Sequence, residues 1–548
     1  MVVFQLVALA AVGVVVFGVR LVQRRRFYAT LPKPPHSLLW GHLQIFNDVT
    51  KQFPRNTAIG TFYTEIAHRY QLKEIFYLDL WPFGPSQMVL VHPDTAELVT
   101  TVENYPLHNA VSDYLIPLLG EESIGAVDDD KWKTLHRMLA PTFRPSNINA
   151  MTSVIAEQVC QLLRPTLAAY AQSGQVFSME KAAAKLIFGI SSKAILGSGI
   201  SEEEDAQLHA DMDDIVEYAT TLTITTATNP ITKARKWWRK RAATRRVDSF
   251  LESVIKGRYS QIVSGSAPST TILDTILLNA HSTDSDPNPS ALWTEFVRIV
   301  TDNLKGLLLG GYGTTADTLC YIFIMLAFHP TVADSLRDEH SQVFGSDPDS
   351  TIQTLQQNPH KLNELPYTTA IIKETLRLFP VGFGIRKTKP GSTSLTYNGS
   401  VYPTSNQMII PCTHTIHYDP DVFPHPTKFD PTRFLDPITT TSGDGSGSDG
   451  ARKTPAAVPR EAWRPFERGP RACLGQNLAM HELRIILLLT AREFRFRCVG
   501  VDADAAERRE TPRALYTDLD LLMGDLAFQE MGFSAKARGG TMMTVSSG

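Results

Sequence analysis

A single cysteine lies in a segment that is rich in glycine and arginine, PFERGPRACLGQ at residues 465–476. Cys473 directly precedes an apolar run with helical periodicity, so its thiol is expected near the positive end of a helix dipole. Arg468 and Arg471 add positive charge, and both effects favour the thiolate. The neighbouring glycines allow tight turns and the close approach of a flat partner. Such a thiolate could serve as a nucleophile, a redox sensor or a metal ligand.

Two other segments combine residue types that can do chemistry. In KETLRLFP, residues 373–380, Glu374 and Arg377 are three apart and share a helix face, where an ion pair can form. In GGYGTT, residues 310–315, glycines and two threonines interrupt an otherwise apolar helical run. The threonines could simply bond back to their own helix, which does not exclude a catalytic role.

The cysteine segment resembles the haem-binding signature of the cytochrome P-450 family, F-x-x-G-x-R-x-C-x-G. Its fixed positions are matched by Phe466, Gly469, Arg471, Cys473 and Gly475. The resemblance implies a haem b cofactor (iron protoporphyrin IX) with Cys473 as the axial thiolate, which favours O–O cleavage. It also implies that Gly475 shapes the turn under the porphyrin, that Arg471 meets a propionate and that Phe466 shields the sulfur. Further family motifs follow in the expected order over nearly the whole chain.

The resemblance assigns a structural role to the Glu374–Arg377 pair. It matches the family's E-x-x-R motif, which is joined by an arginine from a later segment. Here the segment is FDPTRF, and the arginine is Arg433. The three are expected to form a buried network that supports the haem loop, and such a network is costly to break at one member.

The partners of the haem propionates depart from the family pattern. The helix expected at 130–140 resembles one that usually carries W-x-x-x-R, but Trp132 is followed at i+4 by His136, with Arg137 one position later. The resemblance implies that Trp132 and His136 bind a propionate, with Arg137 as the alternative. Arg386 matches the arginine that typically binds the other propionate. For each basic residue the alternative is an ordinary surface position.

The GGYGTT segment corresponds to the oxygen side of the haem. By resemblance, Gly310 and Gly311 leave room for O₂, and Thr314, with Thr315 beside it, helps to deliver protons to bound dioxygen. Gly313 stands where the family usually has an acid, and an acid–alcohol pair acts as a general-acid relay.

The missing acid at Gly313 leaves three interpretations. Water held by Thr314 and Thr315 could carry the protons. Asp317, one turn later, could substitute for the acid. Alternatively, the enzyme could rearrange or couple its substrates rather than hydroxylate them.

The substrate-facing residues expected by analogy lie in segments 105–125, 211–225 and 381–384 and beside Gly310–Thr314. Val381 and Phe383 favour an apolar pocket, and no charged anchor stands out, so a bulky, largely apolar ligand is expected.

Electrons are expected from a separate protein, because the sequence has no flavin or nicotinamide fingerprint and no reductase segment. The resemblance implies an NADPH–cytochrome P-450 reductase, with cytochrome b5 as a further candidate donor. A basic proximal haem face would dock an acidic partner, and scattered surface charge is the alternative. Its candidate residues are Arg464, Arg468, Arg471, Lys131 and Lys133.

The N-terminus predicts a membrane anchor. Residues 1–19 carry no charged side chain, and a helix of that length spans roughly 28 Å, about a bilayer core. The basic cluster follows the apolar run, which predicts a single-pass signal anchor in the endoplasmic reticulum with the rest of the chain cytosolic. A leader cleaved after ALA at 8–10 is the alternative. Residues 20–45 then form a basic, proline-rich hinge, and 46–548 form the haem-thiolate domain.

The remaining pattern predicts a mainly α fold with a small β-sheet region (α+β), with the haem between a long central helix and the cysteine loop. Residues 306–328 are read as part of a buried core helix rather than a second membrane span. Residues 264–290 read as a surface connection, and 437–460 as a disordered insertion. Helices are expected at 130–140, 150–170, 205–225, 235–262, 291–328 and 474–493, and strands at 74–80, 87–92 and 394–403.

Charge and cysteine usage exclude other classes. The net charge is −3, so no affinity for nucleic acid is implied. The five cysteines lack a CxxC pair, which argues against a disulfide framework or a structural zinc site.

Together these features predict a monooxygenase that inserts one oxygen atom from O₂ into an apolar natural-product intermediate. The haem loop is most similar to those of fungal enzymes of secondary metabolism. The alternatives are a haem-thiolate isomerase, reductase or oxidative-coupling enzyme, and a non-catalytic haem-binding protein.

Overall fold

The computed structural model describes residues 2–219, 229–265, 271–283, 291–345, 347–435, 458–501 and 513–548. Over these residues the chain is mainly α-helical with small β-sheets, which confirms the predicted fold class.

Helices account for most of the described chain. In chain order the α-helices are α1 Val2–Tyr28, α2 Leu43–Thr50, α3 Ile59–Arg69, α4 Pro93–Glu97, α5 Asn109–Leu119, α6 Asp129–Leu139, α7 Pro145–Ala150, α8 Thr152–Gln158, α9 Arg164–Ser173, α10 Met179–Leu196, α11 Glu202–Ala219, α12 Pro230–Val263, α13 Ile272–Thr283, α14 Ala291–Phe328, α15 Pro330–Phe344, α16 Pro348–Gln357, α17 Pro366–Leu378, α18 Thr413–His417, α19 Gln476–Thr490 and α20 Thr517–Met523.

The strands are short and form small sheets. They are β1 Ile75–Asp79, β2 Ser86–Leu90, β3 Phe177–Ser178, β4 Ser394–Tyr397, β5 Ser400–Pro403, β6 Met408–Pro411, β7 Phe494–Cys498, β8 Glu530–Met531, β9 Ala535–Lys536 and β10 Met542–Ser547. One sheet has the order β1-β2-β6, with β2 antiparallel to β1 and parallel to β6, and a second has the order β3-β10-β7. The hairpins β4-β5 and β8-β9 stand apart from both.

Helix α14 is the central scaffold of the body. Its 38 residues correspond to about 57 Å of helix. Within Trp293–Phe328, 72% of the most apolar window is buried in the protein, so this stretch is a core helix, as predicted. The helix is hydrophobic on most sides because α10, α12, α17 and α19 pack around it.

One predicted connection is wrong in part. The segment 264–290 contains α13, whose Leu273, Ile276 and Leu277 are buried. These residues recur at the spacing of one helix face, and this face packs into the main core.

Helix α1 begins in the apolar N-terminal run and continues through the basic cluster to Tyr28. The most apolar 18-residue window within Phe4–Tyr28 has a mean hydropathy of 2.2, and none of this window is buried in the body. Its end is docked on the body, because Arg24 and Arg25 both form ion pairs with Asp79 of β1. The expected hinge at 20–45 therefore begins with a helical turn that is packed against a sheet.

Two expectations lie partly outside the described residues. The predicted insertion at 437–460 falls almost entirely in 436–457, and the end of the predicted helix 205–225 falls in 220–228.

Candidate active site

The cysteine loop is held by its own backbone. The amide of Cys473 donates to the carbonyl of Phe466 at 2.9 Å, and the amide of Ala472 donates to that of Gly469 at 3.0 Å. Gly469 has φ +81°, and a Cβ there would overlap the backbone carbonyl of Thr100. Only glycine fits this turn, because it combines a left-handed conformation with a close backbone approach.

The thiol of Cys473 faces an interior space. The residue is solvent-accessible, yet the surrounding protein is dense enough that burial raises the pKa of the thiol. The backbone amides of Gly475 and Gln476 act in the opposite direction but do not overcome burial. Burial therefore outweighs the helix end for the protein chain by itself. A coordinated metal cation is what deprotonates a thiol in such a place.

Two buried arginines beside this loop carry N–H groups without hydrogen-bond partners among the described residues. Arg386 is 2% exposed, and neither its Nε nor its Nη1 has a partner. Arg464 is 1% exposed, and its Nη1 is likewise unpartnered. The other nitrogens of Arg464 donate to Glu467 Oε1 at 3.2 Å and to Thr100 Oγ1 at 2.8 Å.

These unpartnered groups fit the carboxylates of a haem. A buried guanidinium N–H without an acceptor is costly, and a propionate is a bidentate acceptor of matching shape. Burial lowers the pKa of Arg386, and the nearby positive charge of Arg464 lowers it further, whereas Glu467 and Asp128 oppose this. A bound dianion would relieve this repulsion. The residues present therefore fit the cofactor that the sequence motif implies.

Arg471 links the cysteine loop to α6. It forms an ion pair with Asp128, donates to the carbonyl of Val127 at 2.9 Å, and lies over the ring of Trp132 with its Cζ 4.7 Å from the centroid. The rings of Trp132 and His136 are in turn 4.9 Å apart. The three predicted residues Arg471, Trp132 and His136 thus come together on one side of the loop.

Arg137 lies apart from this group. Its side chain is exposed and folds back on its own helix, with Nε donating to the carbonyl of Lys133 at 3.3 Å. One step along an α-helix turns the side chain by about 100°, which separates Arg137 from the face of His136.

The predicted network of acid and arginines is assembled at the base of the site. Arg377 donates from Nε to Glu374 Oε2 at 2.7 Å and from Nη2 to Glu374 Oε1 at 2.8 Å, and both residues are fully buried. Arg433 Nε lies 3.4 Å from Glu374 Oε1. The remaining donors of Arg377 bind the carbonyls of His417, Pro426 and Lys428.

The oxygen-side helix presents an open face. Gly310 is exposed in the middle of a core helix, and a Cβ on Gly310 or Gly313 would meet no atom within 4 Å. The hydroxyl of Thr314 lies on this face and donates to the carbonyl of Gly310 at 2.8 Å. We call the face that carries Gly310, Gly313 and Thr314 the open face of α14.

Gly311 and Thr315 are not on the open face, which corrects their predicted placement. A Cβ on Gly311 would lie 3.1 Å from the hydroxyl of Ser191, so this glycine lets α10 approach α14. Thr315 is buried at 4% exposure on the side away from Gly310. Both follow directly from the helical turn of about 100° per residue.

The predicted basic docking face is wrong in part. Arg464 and Arg471 point into the protein, where they donate to the hydroxyl of Thr100 and to the carbonyl of Val127. Arg468 is half-buried and donates to the carbonyl of Trp463 at 3.1 Å. Lys131 and Lys133 are exposed but paired with Glu122 and Asp130.

The segment at 381–384 joins the second hairpin. The amide of Ala535, the first residue of β9, donates to the carbonyl of Val381 at 3.0 Å. Phe533 in the hairpin turn stacks on Tyr114 of α5, with ring centroids 6.3 Å apart. Phe383 is 53% exposed, and part of the predicted segment 211–225 lies outside the described residues.

The roles of two residues in the site, Arg464 and His417, are not predicted from the sequence. Arg464 was read as surface charge, although its position two residues before Phe466 in the loop was a signal for an inward role. His417 had no motif of its own, and only its contacts with Arg377 and Arg464 reveal it.

A mainly helical fold with a cysteine loop, buried arginines that keep N–H groups without partners among the described residues, and a core helix opened by glycines defines a haem-thiolate protein. Comparisons with known proteins agree, because the family model for cytochrome P-450 matches residues 32–515. The chain therefore belongs to the cytochrome P-450 family.

Similar curated proteins are fungal monooxygenases of this family. Cytochrome P-450 monooxygenase acrF of Aspergillus aculeatus is 31% identical over 506 residues, covering 91% of this chain and 99% of that protein. Its counterpart polC of Polytolypa hystricis is 28% identical, covering 90% and 87%. The monooxygenase ptmG of Penicillium ochrochloron is 29% identical, also covering 90% and 87%. This protein is thus a haem-dependent monooxygenase that uses a cysteine thiolate as iron ligand and O₂ as co-substrate.

Proposed function

We propose that this monooxygenase inserts one oxygen atom into a bulky, largely apolar natural-product intermediate, with electrons from NADPH supplied through a separate diflavin reductase. The fungal monooxygenases that it is similar to support the substrate class, and cytochrome b5 is a further candidate donor. The observation that carries the proposal is that the buried Arg386 and Arg464, beside the cysteine loop, have N–H groups without hydrogen-bond partners among the described residues.

The cofactor would be held by residues from three parts of the chain. Cys473 would bind the iron, with Phe466 beside the sulfur and Gly475 in the turn below. Arg386 and Arg471 would bind the propionates, with Arg464 as an additional donor. Trp132 and His136 of α6 would lie beside Arg471 on the propionate side of the haem. When bound, the haem supplies activation of O₂ with two electrons, and the thiolate pushes electron density toward the iron.

The chain's own task on the oxygen side is to admit O₂ and to hold a proton. Gly310 and Gly313 keep side chains off the open face of α14. Thr314 holds its hydroxyl proton in a bond to the carbonyl of Gly310, from which it can turn toward the open face. Neither Arg137 nor Thr315 has a place in this proposal, because each faces away from the site.

The structural network would keep the cysteine loop in place. Removing one member of a fully buried ion pair leaves an uncompensated charge, which typically costs about 3–5 kcal/mol. Glu374, Arg377 and Arg433 are therefore proposed as structural residues, and their loss is expected to reduce haem retention rather than the rate of a single chemical step.

Helix α1 is proposed as a single-pass anchor in the endoplasmic reticulum membrane, with the catalytic domain in the cytosol. The apolar run of α1 and the basic residues that follow it support this orientation. Deletion of residues 2–19 should release the protein from microsomes. Retention of tight membrane binding would show that another surface also contacts the lipid.

The carbon monoxide difference spectrum of the reduced protein tests the haem ligand. Wild-type protein should show the strongly red-shifted Soret band of a thiolate-bound haem, and Cys473→Ala should lose it. Cys498→Ala is the matched control and should keep the band. A thiolate spectrum that survives in Cys473→Ala would remove Cys473 as the ligand.

A second function is favoured by one observation, the glycine at position 313. An isomerase, reductase or coupling enzyme of the haem-thiolate type does not need the usual acid there. Turnover with a peroxide-type substrate, together with no product from NADPH and reductase, would favour this alternative over oxygen insertion.

A further inference from the structure

The open face of α14 also carries a carboxylate. At about 100° per residue, Gly310, Gly313, Thr314 and Asp317 fall within roughly 100° of one another around the helix. Asp317 is four residues after Gly313, and helical side chains lean toward the N-terminus of their helix. Its carboxyl group therefore lies on the same side of the helix as Gly313.

Asp317 is enclosed by the β8-β9 hairpin. It is 8% exposed, and its Oδ2 accepts a hydrogen bond from the hydroxyl of Ser534 in the hairpin turn, which is itself 8% exposed. The next residue of the hairpin, Ala535, is bonded to Val381 in the substrate-facing segment. The Asp317–Ser534 pair thus lies between the core helix and the hairpin that adjoins the site.

A charged pair continues from this position toward solvent. Lys536 Nζ donates to Glu180 Oε1 of α10 at 2.7 Å, and each side chain is about one-third exposed. Both charges act on Asp317: Glu180 raises its pKa, and Lys536 lowers it. A partly exposed ion pair thus lies close enough to Asp317 to act on its carboxyl group.

We propose that Asp317 and Ser534 form a proton-donating pair that serves the open face of α14 and replaces the acid that is missing at Gly313. This inference rests on the proposed oxygen-insertion function, which requires protons at that face. The Asp317–Ser534 pair would act through Thr314 and would not contact the substrate directly.

The proposed proton transfer needs only side chains of this protein and water. The O–H bond of the protonated Asp317 carboxyl breaks, and its proton passes through one water to Thr314 Oγ1. Residues three apart on a helix have Cβ atoms about 5–6 Å apart, a gap that one water can bridge. The Thr314 hydroxyl releases its own proton onto the open face. The Asp317 carboxylate takes a proton from Ser534, which regains one from solvent near Glu180 and Lys536.

The ionisation of Asp317 suits this role. Burial, which is the largest influence, raises its pKa to about 7, and the hydrogen bond from Ser534 opposes this rise. The carboxyl is thus a competent donor near neutral pH, where a general acid is most effective. The titratable groups around it are Glu180 on α10, Lys536 on β9, and Cys320, Tyr312 and Tyr321 on its own helix.

The test uses the full-length holoenzyme with NADPH and a diflavin reductase. NADPH oxidation and O₂ consumption are followed, since they need no known organic substrate. The wild-type rate should fall as pH rises through about 7. In Asp317→Asn this inflection should disappear, and the rate should drop about tenfold, because positioned donors contribute roughly 10²–10⁴-fold and water retains part of the flux. The solvent deuterium isotope effect should increase.

Two further variants separate proton supply from a structural effect. Gly313→Asp in the Asp317→Asn background should restore the rate and the pH inflection, because the space beside Gly313 is open. Asp421→Asn removes an exposed carboxylate that pairs with Lys73 outside the candidate site, and it should behave like wild type.

Infrared spectroscopy gives a readout that does not depend on turnover. A protonated carboxyl band that titrates near neutral pH should be lost in Asp317→Asn and kept in Asp421→Asn. Glu482, whose pKa burial raises to about 8, should keep its band in both variants and serves as an internal reference.

The outcomes distinguish this inference from the proposed function. Asp317→Asn with wild-type rate, isotope effect and pH profile, in protein that keeps its thiolate spectrum, would overturn the proton pair and assign proton supply to water alone. A wild-type protein without a thiolate spectrum would instead overturn the proposed function.

Discussion

The imidazole Nε2 of His417 lies 3.1 Å from the backbone amide nitrogen of Arg464. Because an amide can only donate, Nε2 must be unprotonated, and the ring proton is on Nδ1. Nδ1 in turn lies 2.9 Å from the carbonyl of Arg377 and donates to it. Burial, the largest influence, holds the pKa of His417 well below its usual value, so the ring stays neutral. One imidazole thus joins the buried ion-pair network to the cysteine loop.

The first prediction concerns this link. His417→Ala should lower the free energy of unfolding by about 2–4 kcal/mol, because it leaves a buried carbonyl and a buried amide without partners, each costing about 1–3 kcal/mol. The loss should be accompanied by weaker haem retention. Thermal unfolding and haem transfer to apomyoglobin measure the two effects.

An exposed histidine supplies the control for this variant. His360→Ala should change the unfolding free energy by less than about 0.5 kcal/mol, as is usual for surface substitutions. Equal destabilisation by both variants would mean that the His417 bridge contributes nothing specific.

A second prediction concerns the turn that presents the cysteine. Gly469→Ala should prevent the loop from closing, since the new Cβ would combine a left-handed φ with overlap onto Thr100. Purified protein is expected to contain little thiolate-bound haem by its carbon monoxide spectrum.

Gly257 in α12 is the matched control for Gly469. A Cβ there meets nothing within 4 Å, so Gly257→Ala should be neutral or stabilising by up to about 1 kcal/mol, as expected for alanine in a helix. Normal haem content in Gly469→Ala would contradict the proposed need for glycine in the loop.

The local parts of the site could be predicted from the sequence. The cysteine motif fixes Phe466, Gly469 and Cys473 within one turn, and Glu374 and Arg377 are three apart on one helix. Residues this close in the sequence must also lie close in space, whatever the tertiary packing. The sequence therefore predicts correctly that they form one group. Gly311 and Thr315 were predicted on the wrong side, although helical periodicity alone separates them from Gly310 and Thr314.

Non-local pairings could not be read from the sequence. Ser534 meets Asp317 across 217 positions, and Arg464 meets Thr100 across 364. No local pattern encodes such separations, since they depend on how the hairpin and the helices pack. The direction of Arg464 was misread for the same reason: a charged residue in a loop reads as solvated until its burial is known.

A third prediction concerns acid stability. His340 is fully buried, with Nε2 2.8 Å from the hydroxyl of Thr368, and burial lowers its pKa to about 3. The unfolded chain takes up a proton at about pH 6.5, whereas the folded protein resists it until about pH 3. The contribution of this neutral histidine is therefore complete above about pH 6.5 and falls by about 1.4 kcal/mol per pH unit below it.

Comparison of two variants isolates that contribution. In urea unfolding, the stability gap between wild type and His340→Gln should narrow as pH falls below about 6.5, whereas the gap for Gln357→Ala, an exposed side chain that does not titrate, should stay constant. A gap for His340→Gln that does not change with pH would show that this histidine does not titrate as a buried neutral group.

The last prediction concerns the junction between α1 and the catalytic body. Asp79 is fully buried at the end of β1, where Arg24 Nε lies 2.7 Å from Oδ1 and Arg25 and His36 face Oδ2. Burial alone would raise the pKa of Asp79, but these partners together hold it well below its usual value. Asp79→Asn removes the charge and leaves Arg25 buried without its counterion, so about 3–5 kcal/mol of local stability should be lost. Limited proteolysis of membrane-bound protein should then cut between residues 20 and 45 much faster than in wild type.

Asp421→Asn, which breaks an exposed pair with Lys73, is the control and should leave the cleavage rate unchanged. Equal protection in Asp79→Asn and wild type would mean that other contacts of α1, such as Phe17 on Trp81, are sufficient to dock it.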